Sequence, residues 1–85
     1  RERGSIAMQV YAFESGSASL PTMYVMYTPR AGWTAHWENE YGPCGDSPTV
    51  LSPNTPQHRA EEIFRAEAED MWENYWAQAG AHAWC

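Results

Sequence analysis

TMYVMYTPRAGWTAHWENEY, residues 22–41, reads as two strands joined by a tight turn. In TMYVMYT, Tyr24 and Met26 alternate with Met23, Val25 and Tyr27, the period of a strand with a different side chain set on each face. Pro21 is tolerated there only at the strand start, because proline donates no ladder hydrogen bond. PRAG follows as a turn. Pro29 presets its own φ, and Gly32 can take a positive one. WTAHWENEY then alternates again, with Trp33, Ala35 and Trp37 on one side and Thr34, His36 and Glu38 on the other. Two alternating runs around a Pro/Gly turn predict an antiparallel hairpin.

The same reading extends in both directions. Upstream, SIAMQVYAF (residues 5–13) alternates Ile6, Met8 and Val10 with Ala7, Gln9, Tyr11 and Phe13, and the turn-rich ESGSAS follows. Residues 5–41 are therefore expected to form a three-stranded antiparallel meander. Downstream, GPCGDSPTVLSPNTP (residues 42–56) has the composition of a loop, with a short extended piece at residues 49–52. A helix is expected over 56–79, with Thr55 as N-cap, Pro56 in the first position, Glu61 and Glu62 favouring its positive end, and Gly80 stopping it. At 100° per residue, Ala60, Phe64, Ala68, Met71, Trp72, Tyr75, Trp76 and Ala79 line one face. Residues 80–85 are left as a tail. The expected class is α+β, a β-β-β-α domain with the helix on one face of the sheet.

Composition limits what such a domain can do. The chain has 85 residues, which corresponds to one domain burying only about 60–65% of its unfolded surface. Its net charge is −6 and it has no Lys; the cations are Arg1, Arg3, Arg30, Arg59 and Arg65. No basic patch can form from these, which argues against direct nucleic-acid binding and for a protein partner with a basic surface. No run of 18 apolar residues is present, so no membrane span is expected, and no signal-peptide pattern is seen. The oligomeric state is left open, a homodimer included.

Two short stretches resemble known families. TPQHRAEEIF, residues 55–64, following three strands, resembles the helix start of HicB-type antitoxins and of the arm-binding domain of tyrosine integrases. In both, a Thr cap leads into an Ala/Glu-rich helix. The integrase version requires basic strands, which this chain lacks. PRAGW, residues 29–33, is similar to the P-x-G-W turn of MbtH-like proteins, without that family's Trp-Pro pair. These likenesses are short and assign no family.

Four groups of residues are candidates for a site. Glu62, Glu69 and Glu73, with Asp70 beside them, lie opposite the apolar helix face, and acids near a helix C-terminus oppose its dipole unless a basic partner answers them. If Trp33 and Trp37 face the helix, then Tyr11, Phe13, Tyr24 and His36 are expected on the uncovered sheet face as an aromatic contact surface. Glu38 and Glu40 are two apart and share a side, but a chain this small offers little of the concavity that catalysis needs. Cys44 and Cys85 are candidates for one disulfide, worth roughly 3–4 kcal/mol on the chain-entropy account. As free thiols they would suit a cytoplasmic protein, and as a bridge a secreted one. No zinc-type spacing occurs, and no metal or cofactor is expected. These residues point to a non-enzymatic protein-interaction module, of the inhibitor, antitoxin-like or phage-accessory kind. The alternative is a small enzyme subunit or metal-binding domain using Cys44, His36, His82 and Cys85.

Overall fold

A computed structural model describes residues 7–17 and 19–81, the helix beyond Tyr75 as backbone only. The elements are β1 (Met8–Phe13), β2 (Thr22–Thr28), β3 (Gly32–Asn39), β4 (Gly42–Asp46) and α1 (Gln57–Ala81). The four strands form one antiparallel sheet in the order β1-β2-β3-β4. The α+β class and the C-terminal helix stand as the sequence predicts, and the strand count is corrected from three to four. The third strand ends at Asn39, and Glu40 and Tyr41 form a turn into β4 instead of extending β3. β4 is GPCGD, which looks like loop because it holds a proline and two glycines. It is an edge strand, where a missing donor can face away from the ladder.

β2 and β3 pair in unbroken register from Thr22↔Glu38 to Thr28↔Gly32, which confirms the hairpin. The turn between them depends on Gly32. Its φ is +90°, and a Cβ there would run into the backbone carbonyl oxygen of Leu51. That close approach is productive. Trp33 and Leu51 exchange two backbone hydrogen bonds of 2.9 and 3.0 Å, so the chain after β4 returns to the edge of β3. Tyr27 Oη also donates to the Pro53 carbonyl at 3.2 Å, and Trp33 Nε1 to that of Thr55 at 3.1 Å. The expected extended piece at residues 49–52 is thus a single bridge at Leu51.

β1 departs from the predicted alternation. Gln9 pairs with Met26, but Tyr11 pairs with Val25, which leaves Val10 as an extra residue in a bulge. Beyond Val10 the facing is reversed, because a one-residue slip moves every later side chain to the other side of the sheet. Phe13 lies opposite Met23 and Tyr11 opposite Val25, so both aromatics face the core. Phe13 is buried and Tyr11 packs against the core, with their rings stacked 5.6 Å apart. The sequence expectation that both lie on the uncovered face is therefore corrected.

α1 begins one residue later than expected. The Pro56 carbonyl accepts from the Arg59 and Ala60 amides at 3.1 and 3.0 Å, which places Pro56 at the cap position. Glu61 and Glu62 fall in the second turn, and the first turn holds no acid. Gly80 lies inside the helix and does not end it. Ala60, Phe64, Ala68, Met71 and Tyr75 are buried, as the wheel predicts, while Trp72 is half-buried. Trp76 and Ala79 lie outside the residues with described side chains. Alanine at 60 and 68 on either side of Phe64 leaves room for that ring against Met23, Val25, Ala35 and Trp37 of the sheet. Trp72 Nε1 donates to the Pro21 carbonyl at 2.8 Å, which ties the later part of α1 to the start of β2.

Candidate functional site

The meander brings its loops together at one end of the sheet. Residues 14–21 join β1 to β2, and Glu40 and Tyr41 join β3 to β4, so both connections lie at the end away from the Pro29–Ala31 turn. A cleft of about 390 Å³ opens between them, lined by Glu14, Tyr24, Glu38, Asn39, Glu40 and Leu20 among others. Among the described residues its lining contains three carboxylates and no cation, while Glu14 also lines a neighbouring hollow with Arg65. Glu38 and Glu40 both line this cleft, but not as neighbours on one strand: β3 ends at Asn39 and Glu40 lies in the turn, and the cleft is concavity that the sequence did not lead one to expect. Glu14 belongs to it through hairpin closure and was read in the sequence only as part of a turn.

Tyr24 and His36 lie on the uncovered face of the sheet, as expected, their rings stacked 5.5 Å apart. His36 Nε2 is 2.8 Å from Glu38 Oε2. A carboxylate only accepts, so that nitrogen carries the hydrogen and the imidazole is oriented toward the cleft wall. Asp46 of β4 lies opposite His36 and adds a further acid to this face. Tyr41, at the tip of the β3–β4 turn, is 88% exposed, and its amide is held by Asn39 Oδ1 at 2.8 Å.

The outer face of α1 carries Glu62, Glu69, Asp70 and Glu73, all exposed. They are not electrically alike. Glu62 Oε1 is 3.4 Å from Arg59 Nη1, and the neighbouring Glu61 is 2.8 Å from Arg65 Nη2. Arg65 also lies over the Phe13 ring at 4.8 Å. From residue 66 to residue 75 the helix holds acids and no cation. Among the described residues Glu69, Asp70 and Glu73 form no ion pair, although Arg65, one turn before Glu69, lines the same hollow.

Glu67 is a half-buried acid on α1 with one enclosed oxygen. It points inward from α1 and accepts a hydrogen bond from the Ser47 hydroxyl, which fixes the chain just after β4. Its other oxygen is enclosed and has no hydrogen-bond partner among the described residues. Cys44 is the extra residue of a bulge in β4 and is disulfide-bonded. Its sulfur is thereby removed from the ligand set of the metal-binding alternative. Among the described residues no group of three or more His, Cys, Asp or Glu side chains is placed to hold a metal ion. His82 and Cys85 lie outside the described residues. No described helix is long and apolar enough to cross a membrane.

No protein-family model, no curated protein and no solved structure matches this chain.

Proposed function

We propose that this protein is a small non-enzymatic interaction module that binds a protein partner through a basic surface on that partner. The observation that carries the reading is the segregation of charge. Among the described residues the acids of the second half of α1 and those of the hairpin-end cleft form no ion pair with an arginine; Arg59 and Arg65 are engaged with Glu62 and Glu61, although Arg65 also borders Glu14 and Glu69. Like charges held together on a folded surface repel one another, and a partner of opposite sign relieves that repulsion and speeds encounter. Of the aromatic residues named from the sequence as a contact surface, Tyr24 and His36 remain available, and Tyr41 joins them.

The test is kinetic. A partner captured from the native source is purified, and its association rate with the wild-type chain is measured at about 20 mM and about 300 mM salt, across which charge steering is largely screened. The expected result is association at least tenfold slower at the higher salt. A rate that does not change with salt would overturn the reading.

A further inference from the structure

We infer that the open sheet face, at its β3–β4 hairpin end, is the docking surface for an arginine-bearing segment of the partner protein. The inference rests on the interaction-module reading and adds to it the surface and the group recognised.

Among the described residues no element covers this face. α1 packs on the other side of the sheet, and Tyr24, Met26, Thr34 and His36 remain half-exposed. It is also shaped. The cleft at its end, about 390 Å³, falls within the range of sites that hold a discrete chemical group. Tyr41 stands beside it, 88% exposed on a turn whose backbone is fixed by Asn39. Exposed aromatics of this kind anchor protein interfaces.

Charge complementarity selects the occupant. The carboxylates of the cleft are Glu14, Glu38 and Glu40, with His36 donating to Glu38, Asp46 further along the face, and Arg65 in a neighbouring hollow beside Glu14. Phosphates and nucleic acid are repelled by such a lining. An apolar ligand would strip water from three carboxylates without pairing them, which is unfavourable. A basic side chain pairs them. Guanidinium suits this lining better than ammonium. It is planar, loses hydration more easily, donates in a fork to carboxylates and stacks on aromatic rings such as Tyr24.

The test uses N-acetyl-arginine amide as the probe, with N-acetyl-lysine amide beside it, each titrated into the ¹⁵N-labelled full chain. With arginine amide, saturable shifts are expected at Glu14, Gly16, Tyr24, Glu38 and Glu40, and a response at least threefold weaker with lysine amide. E38Q/E40Q should weaken arginine binding at least fivefold, and E14Q serves as a second variant should the first not fold. E69Q/D70N/E73Q, on the helix, should bind as wild type does. Shifts centred on residues 69–73, or no saturable shift at any residue, would overturn the inference, and an equal lysine response would overturn the choice of arginine. None of these outcomes alters the salt dependence of partner association, so this inference and the interaction-module reading fail separately.

Discussion

Gly32 and Phe64 show how much of the structure rests on single side chains, or on the absence of one. At Gly32 a Cβ meets the Leu51 carbonyl, and the φ of +90° is itself strained for an L-residue. Gly32→Ala is therefore expected to lose more than the roughly 1–2 kcal/mol of the conformational term, because the Trp33–Leu51 bridge must also shift. Gly42→Ala, at a φ of +112° with open space around it, should lose only the conformational term. Chemical denaturation of the two variants checks the difference, and equal losses would show that the contact at Gly32 is relieved cheaply. Phe64 is fully buried at the centre of the helix face. Phe64→Ala is expected to cost about 3–5 kcal/mol, close to the whole stability of a small domain. A melting temperature like the wild type's would mean that this ring is not central to the core.

Among the elements, β1 and β4 are where the sequence misleads. The alternation of residues 22–28 and 33–39 was legible because neither strand contains an irregularity, and the helix face because Phe64, Ala68, Met71 and Tyr75 keep a strict helical spacing. β1 alternates just as cleanly, yet Val10 is an extra residue, and a bulge leaves no mark in composition. The partner strand creates it, so Tyr11 and Phe13 were placed on the wrong face. β4 was hidden for a different reason. Pro43 and Gly45 disfavour strand locally, and only a position at the edge of a sheet makes them harmless. The acids of the cleft were not legible as a group: Glu38 and Glu40 read as a strand pair, but Glu40 belongs to the turn, and Glu14 joins them only when the hairpins close. Deleting Val10 should remove the bulge and leave Tyr11 opposite Val25 and Phe13 opposite Met23, so Phe13 stays on the core face. The expected loss is therefore well below the roughly 3–5 kcal/mol of truncating a core aromatic, read from urea unfolding. A loss of that full size would contradict the bulge. Trp72→Phe keeps the ring but leaves the Pro21 carbonyl without its donor, and should lose about 1–2 kcal/mol. Amide exchange at the start of β2 should quicken in that variant, and unchanged exchange would show that the bond does not hold the two elements together.

For the whole molecule, the disulfide and the edges of the sheet set the limits. Cys44 is bonded and the sequence holds one other cysteine, Cys85, so an intramolecular bridge between them is expected. Alkylation of the folded chain without reductant should add no mass, and with reductant two alkyl groups. Two additions without reductant would exclude the bridge. Reduction should lower stability by roughly 3–4 kcal/mol if chain entropy governs the effect. The bulges at Val10 and Cys44 also fall on the two outermost strands of the sheet. A regular outer strand is a template on which a further chain can grow, and templated growth is how fibres propagate. Here each boundary presents a bent row of amides and carbonyls, one of them interrupted by Pro43, so an arriving strand finds no matching register. The sheet is self-terminating at four strands. Light scattering at rising concentration should accordingly show no elongating species, and the Val10 deletion, which straightens one boundary, should be the variant that polymerises.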